Sequence, residues 1–310
     1  PNGGRSMELF QLETFLAVAE TRSFSRAAQK LHRTQPAVSQ TIRKLEADIG
    51  EPLFDRSSRD ANLTDAGRML VDYAEKLLNL RSEAGSAIIE LRELHAGKLA
   101  IAANEFTSIY LLPVLEKFRH QSPMIKITVQ RSLSSQISQE VLNHKVEMGM
   151  LSFSPDVPGL RSTVVYKDEL AFIVHPRHPL ASAKEVHIRQ LGAESFIAHN
   201  VSSQYRAKVV EAFRRHKTPL NMQVELPTIE AIKRFVAMGN GVALVPGMCV
   251  ETELKRGELV HVPARELKFE RKLRIIYRKN SSLSHAARAF LKILESIASE
   301  RKGRYVFEAE

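Results

Sequence analysis

Gln35, Ser39 and Arg43 are the residues of this 310-residue chain with the clearest chemistry. Glutamine, serine and arginine hydrogen-bond base edges in the major groove, and spacing of i, i+4, i+8 sets them on one face of a helix. Gln40 and Lys44 stand beside them. On the other face Val38, Ile42, Leu45 and Ile49 follow i, i+4, i+7, i+11, the stripe that packs on a core. Thr34 is placed to cap this helix, and Pro36 falls in its first turn, where no N–H is needed. Gly50 is placed to end it in a left-handed conformation. A polar helix face alone is more often plain solvated surface. Here its neighbours argue for recognition.

Those neighbours are the elements that must position the face. Leu9, Leu12, Phe15, Leu16 and Ala19 predict a first amphipathic helix. Ser23 reads as the N-cap of a second helix from Phe24 to Leu31, in which the small pair Ala27 and Ala28 admits another helix closely. His32 and Arg33 make a tight connection to the third. Beyond Gly50, residues 51–56 and 61–63 predict two short strands around a polar tip at 57–60, with Arg56 and Arg59 placed to reach phosphates or a minor groove. Thr64 then caps a helix running to about Leu94. Its Leu70, Tyr73, Leu77, Leu80, Ala84, Ala87, Leu91 and Leu94 alternate steps of three and four, a heptad seam. Such a stripe cannot bury itself, so a second copy is expected, and a two-fold dimer suits a palindromic operator.

The net charge of +10 does not carry this reading. Between Met7 and Lys98, 13 lysines and arginines face 14 acids, and the excess of 31 basic over 21 acidic residues lies beyond. The informative charge is local: Arg22 to Arg59 holds eight basic and four acidic residues. The length suggests about two or three units. Cys249 is the sole cysteine, which rules out an internal disulfide framework, fits a reducing cytoplasm and reads as a small buried hydrophobe. No run is apolar enough to span a membrane, and Pro1 to Ser6 look like a cloning remnant ahead of Met7. The histidines show no HExxH spacing and there is no G-x-S-x-G elbow, so neither a zinc protease nor a serine hydrolase is indicated. His175 and His178 flank Pro176 in a turn and read as solvated. Gly239 and Gly241 are far too weak a pattern for a dinucleotide site.

Beyond Gly97 the pattern starts afresh. Strands at 99–103, 125–130 and 146–151 alternate with helices at 110–120 and 137–144. A second set of strands at 169–175, 195–198, 222–225 and 242–245 alternates with helices at 204–216 and 228–238. A strand at 273–278 and a helix from Leu283 to about Ser299 close the chain. Strand–helix alternation predicts an α/β fold with parallel sheet. In such folds ligands sit at the carboxyl ends of strands, against helix N-termini. Three loops qualify: 104–108, 132–135 and 199–203, with Thr228 capping a fourth helix. Arg206 reads as a solvated helix arginine.

Residues 23–28 (SFSRAA), 35–39 (QPAVS), Leu45-Glu46, Gly50, Pro52-Leu53-Phe54-x-Arg56, Arg59 and Leu63-Thr64-x-Ala66-Gly67 occur in the order seen in LysR-type transcriptional regulators, which this chain resembles. Farther along, Leu111-Leu112-Pro113, residues 146–150, 168–170, 178–181 and 230–243 resemble the effector domain of that family, so the likeness covers nearly all of the chain. It implies a winged helix-turn-helix at 7–64 (helix-turn-helix 24–43), a linker and dimerisation helix at 65–96, and an effector domain at 97–310. That domain is similar to periplasmic binding proteins, with one subdomain at about 97–166 and 275–300 and another at about 167–274. With the residue reading, the resemblance assigns DNA contact to Ser25, Gln35, Pro36, Ser39, Gln40, Arg43, Arg56 and Arg59. It assigns effector contact to Asn104, Glu105, Phe106, Thr107, Ser134, Ser135, His199, Ser202, Ser203 and Thr228. It also implies dimers paired into a homotetramer, RNA polymerase as a partner of an activator, a bacterial cytoplasm, and no cofactor. The basic effector region points to an anionic effector such as a carboxylate. Phe106 stands where many relatives carry Ser or Thr, so either Thr107 takes the hydroxyl role or the pocket is more apolar. The rival readings, a solute-binding protein or an enzyme without DNA function, leave the polar-faced helix and the heptad seam without a use.

Overall fold

Leu12, Phe15 and Val18 meet Val38, Ile42 and Leu45 in a buried cluster, and that contact organises the N-terminal part of the chain. The structure is a computed structural model describing residues 7–55, 60–92, 97–201, 203–279 and 281–309. It divides into two units, Pro1–Gly97 with Gln139–Val146, and Lys98–Ser138 with Glu147–Glu310. In the first, α1 (Leu9–Thr21), α2 (Phe24–Lys30) and α3 (Gln35–Ile49) pack around that cluster, and α4 (Asp65–Arg92) adds Ala74 to it. Ser23 caps α2 by accepting from the Arg26 N–H, and Gly50 closes α3 at φ 87°. Thr34 occupies the N-cap of α3, but its side chain makes no capping bond.

Beyond α3, among the described residues, one antiparallel bridge joins Phe54 to Leu63 where the sequence suggests two short strands. Glu46, buried on α3, accepts from the Leu53 N–H at 2.8 Å and so ties the segment that follows to α3. The start of α4 closes on the same segment. A Cβ on Gly67 would lie 2.2 Å from the Leu53 carbonyl oxygen, an overlap no side chain can have. Thr64 caps α4 through its hydroxyl, accepting from the Gly67 N–H at 3.0 Å.

The second unit runs through β1 (Gly97–Ala103), α5 (Glu105–Gln121), β2 (Ile125–Arg131), α6 (Ser134–Leu142), β3 (Met148–Leu151) and β4 (Leu160–Val174). It continues with β5 (Ser195–His199), α7 (Gln204–Arg215), β6 (Asn221–Leu226), α8 (Ile229–Ala237), β7 (Ala243–Pro246) and α9 (Glu251–Arg256). It ends with β8 (Val260–His261), β9 (Glu270–Arg278), α10 (His285–Arg301) and β10 (Tyr305–Ala309). The main sheet has the order β10-β4-β9-β3-β1-β2. The first half of β4 pairs with β9 and its last residues pair with β7 and β8, so β4 passes from one lobe into the other. Lobe I is built on a core from β1, α5, β3, β9 and α10. Lobe II, from β5 to β8, has its own two apolar clusters.

The sheet is mixed rather than purely parallel. Strands β1 with β3 and β5 with β6 run parallel, whereas β3 with β9 and β4 with β9 run antiparallel. The 15-residue β4 begins well before the strand expected at 169, because its first half carries Arg161, Ser162, Thr163 and Lys167 among its apolar residues and so lacks an apolar run. Helices α5 and α6 also start earlier than their periodicity suggests. Glu105–Ser108 form the first turn of α5 under an Asn104 cap, not a loop. The strand β10 and helix α9 have no counterpart in the sequence reading. Tyr305 seats β10 against Tyr166 of β4 with ring centroids 5.0 Å apart.

Candidate nucleic-acid interface and ligand cavity

On α3 the expected division of faces holds. Val38, Ile42 and Leu45 are buried; Gln35, Pro36, Gln40 and Arg43 are exposed, and Ser39 is half-buried. Ser25 on α2 is exposed as well. Lys44 leans back to Glu8 at 3.6 Å, while Arg43 has no ion-pair partner among the described residues. The turn between α2 and α3 is held by the Arg33 N–H donating to the Ala28 carbonyl at 2.8 Å, with His32 at φ 53°. Arg33 lies over the Phe10 ring at 5.1 Å, so its stem packs on α1. Helix α3 thus presents a fixed, hydrated row of donors and acceptors, the geometry that major-groove readout requires. Arg56 and Arg59 fall outside the described residues.

Helix α4 has two apolar faces. Leu70, Val71, Ala74 and Leu78 pack on the head's own core, whereas Tyr73, Leu77, Leu80, Ala84, Ala87 and Ile88 are exposed, Tyr73 by 59%. Leu70 therefore leaves the expected seam, because α1 already covers it. The Leu91 side chain and Leu94 lie outside the described residues.

In the second unit a cavity of about 500 Å³ opens between the two lobes, a size suited to a small metabolite. Asn104, Glu105, Phe106, Ser134 and Ser135 border it from lobe I, and His199 and Ser203 from lobe II. Asn104 does double duty. Its Oδ1 accepts from the N–H groups of Phe106 and Thr107, at 3.1 and 2.9 Å, and its Nδ2 donates to Ser134 Oγ at 2.7 Å. The hydroxyl of Ser132 is buried on the cavity wall with no hydrogen-bond partner. Arg131, exposed at the end of β2, also borders the cavity.

Two family models match the chain: "Bacterial regulatory helix-turn-helix protein, lysR family" over residues 9–68 and "LysR substrate binding domain" over residues 92–298. The chain belongs to the LysR family of transcriptional regulators. It is 35% identical over 293 residues to a probable RuBisCO transcriptional regulator of Synechocystis, covering 92% of this chain and 84% of the relative. Among solved structures it resembles the LysR-family regulator CbnR, at TM-score 0.72 and 20% identity over 94% of this chain and 99% of CbnR. The regulatory domain of Synechocystis CcmR, solved in complex with 2-PG, gives TM-score 0.60 at 24% identity over 66% of this chain and 98% of that one.

The lining of the cavity departs from the sequence expectation at several positions. Thr107 is fully buried, with its hydroxyl 3.1 Å from the Asn104 N–H and 3.0 Å from Asn104 Oδ1. It is part of a capping box and does not border the cavity, so it takes no hydroxyl role there. Thr228 likewise caps α8 by accepting from the Ala231 N–H, and the adjacent Ile229 reaches the cavity instead. Ser202 falls outside the described residues. Arg206, read from sequence as a solvated helix residue, borders the cavity, pairs with Glu225 and donates to the His199 carbonyl at 3.0 Å. Periodicity could not have found Tyr205 and Arg271, which also border it. Arg271 stacks on the Tyr205 ring at 5.0 Å and pairs with Asp168 at 2.9 Å, both charged side chains almost fully buried. Burial raises the Asp168 carboxyl above its ordinary range, with Arg271 and the N–H groups of Glu169 and Met248 pulling the other way.

The described residues contain no group of three side chains suited to a metal ion, and no described helix is long and apolar enough to cross a membrane. His175 and His178 serve their own turn, their Nδ1 atoms accepting from Arg177 and Leu180 N–H groups. Cys249 is buried in lobe II, where burial pushes its thiol up to about 12. Because the thiolate is the reactive form, iodoacetamide at pH 8 should label native protein at least tenfold more slowly than protein in denaturant, as intact mass spectrometry reads. Equal rates would show that the thiol is accessible.

Proposed function

We propose that the regulator is a homodimer, paired into a homotetramer in the bacterial cytoplasm, that reads a palindromic operator with α3 of each head and responds to a small anionic effector in the inter-lobe cavity. The observation that carries the DNA assignment is the exposed row Gln35, Gln40 and Arg43, with Ser39 at its edge, on a helix whose other face is locked into the core. Pro36 and Ser25 belong to the same set, and the family resemblance assigns Arg56 and Arg59 to DNA contact as well. Support comes from CbnR, a LysR-family relative in fold whose full-length form is solved with its target DNA. The exposed seam of α4 supports the dimer, since apolar residues at heptad spacing are buried by a partner helix. An effector that prefers one closure of the cleft shifts the equilibrium between arrangements of the heads and so alters contact with RNA polymerase at an activated promoter.

For the effector, Asn104, Ser134, Ser135 and Ser203 supply polar contacts, and Arg131 supplies charge without an ion-pair partner among the described residues. These support a carboxylate or another small anion, while Phe106, Phe196 and Ile197 give the cavity an apolar wall for its body. The test of the recognition helix is a gel shift on the DNA upstream of the regulator's own gene. A lost bidentate base contact is worth about 1–3 kcal/mol, so Gln35→Ala should weaken specific binding by roughly 10- to 100-fold and leave non-specific binding unchanged. An unchanged specific affinity would remove α3 from base readout.

A further inference from the structure

At the border of the cavity a carboxylate of one lobe reaches into the other. Glu105 stands in the first turn of α5, a lobe I helix whose Tyr110, Leu111, Val114 and Phe118 belong to the lobe I core. Its side chain nevertheless points into lobe II. Glu105 Oε1 accepts from the Ile229 N–H at 2.8 Å, the first residue of α8, where the helix N-terminus favours an anion. The other oxygen, Oε2, lies 3.5 Å from His199 Nε2 on β5. The Val201 N–H donates to His199 Nδ1 at 3.1 Å, which leaves Nε2 as the ring nitrogen beside the carboxylate. Both Glu105 Oε2 and His199 Nε2 are buried, with no hydrogen-bond partner of their own.

The neighbouring residues repeat the crossing with apolar contact. Phe106 sets its ring edge-on against His199, with centroids 5.4 Å apart, and both Phe106 and Ile109 pack on the lobe II cluster that contains Ile197, Ile229 and Ile232. At the other side of the cavity the Tyr205 hydroxyl donates to the Ser152 carbonyl at 2.8 Å, from lobe II to lobe I. Strand β4 pairs with β9 in lobe I and runs on to pair with β7 and β8 in lobe II, so the chain itself links the lobes. Among the described residues the Glu105 carboxylate is the charged group that bridges the lobes at the α8 N-terminus.

We propose that Glu105 and Phe106 form a latch that holds the two lobes closed in the absence of effector, and that a ligand governs the regulator by releasing or replacing it. The regulatory part rests on reading the cavity as the effector site; the latch itself does not. The Phe106 departure from the family's usual hydroxyl then has a use, because an aromatic ring at the helix start packs edge-on against His199 beside the carboxylate.

The test measures the angle between lobes directly. Gln136 on α6 and Ala207 on α7 are exposed, one on each lobe, and the native Cys249 is buried. Full-length protein carrying Gln136→Cys and Ala207→Cys is spin-labelled and mixed with excess unlabelled chain, so that only distances within one chain are read. Without ligand, the latched protein should give one narrow distance distribution, and adding Glu105→Ala should broaden it and move it outward by more than about 2 Å, the scale of a domain rearrangement. If circular dichroism shows that the alanine variant has lost its fold, Glu105→Gln, which keeps an acceptor for Ile229, is read in its place. A distribution that neither substitution changes overturns the latch, whatever the cavity binds. Inorganic phosphate, titrated with the melting midpoint as readout, probes the anion reading separately. If phosphate stabilises neither protein while the distances lengthen in Glu105→Ala, the latch is supported and the anionic effector is not.

Discussion

Replacing Leu77 and Leu80 together by glutamate is expected to convert the regulator to monomers and to lower its operator affinity by roughly 10²- to 10⁴-fold, the advantage that linking two heads confers. Both side chains stand on the exposed face of α4, Leu77 at 39% and Leu80 at 47%, and neither contributes to the head's own core, which is closed by Leu70, Val71, Ala74 and Leu78 on the other face. The substitutions therefore remove a partner's contact without opening a cavity. In the dimer each leucine would bury a side chain worth about 1.5–3 kcal/mol. Two facing carboxylates per chain would replace four such burials with mutual repulsion. Sedimentation velocity reads the mass and gel shifts read the operator. The control is the amplitude of the helical dichroism and the melting of the head, both of which should stay close to wild type. Dimers that persist would place the assembly interface elsewhere. Monomers that keep full operator affinity would show that the two heads act independently.

The parts of this chain that were legible in sequence are those where one local pattern determines the outcome. Residues 35–49 carry an N-terminal proline, a core stripe and a terminal glycine, three signals that agree, and α3 forms over that span. The seam of α4 was legible as a repeat, but not which of its two apolar faces an intramolecular neighbour would take, since that depends on the docking of α1. In the second unit most elements were found, though not α9, β8 or β10, and their pairing was not. The crossing strand β4 hid behind Arg161, Thr163 and Lys167, because a strand that pairs along one half with β9 and along the other with β7 and β8 meets different neighbours and has no single apolar face. Asn104, Ser134, Ser135, His199 and Ser203 border the cavity, whereas Thr107 and Thr228 cap helices instead. A hydroxyl in a first turn satisfies backbone N–H groups before it can serve a ligand. Arg206, Tyr205 and Arg271 could not be placed from sequence. Asp168 and Arg271 lie 103 positions apart, and nothing but the tertiary pairing of β4 with β9 brings them within 2.9 Å.

That pair should show the largest stability effect in the molecule. Removing one partner of a buried ion pair costs about 3–5 kcal/mol because the other charge stays behind, so Arg271→Met should lower the melting temperature of the second unit by roughly 10 °C. Asp168 would keep the Met248 N–H, 3.2 Å from its Oδ1, but lose the cation against Oδ2. The sign of the pH dependence follows from the direction of the shift. Burial already raises the Asp168 carboxyl, and Arg271 holds it down against that rise. Without the arginine the folded carboxyl titrates higher still, so the folded variant takes up a proton that the unfolded chain releases. Stability is then retained while the carboxyl is protonated and lost as pH rises through the raised value. The deficit relative to wild type should thus be largest near pH 8 and shrink toward pH 5, as urea titrations at the two values report. A pH-independent deficit would assign the loss to packing against the Tyr205 ring rather than to charge. The double change Asp168→Asn with Arg271→Met separates the two further. If charge dominates, the double variant regains most of the lost stability and its pH dependence vanishes, since neutral groups of similar volume often replace a buried pair at little cost. If stacking on Tyr205 dominates, the double variant stays as unstable as the single one, and the buried pair would serve to position Tyr205 over the cavity.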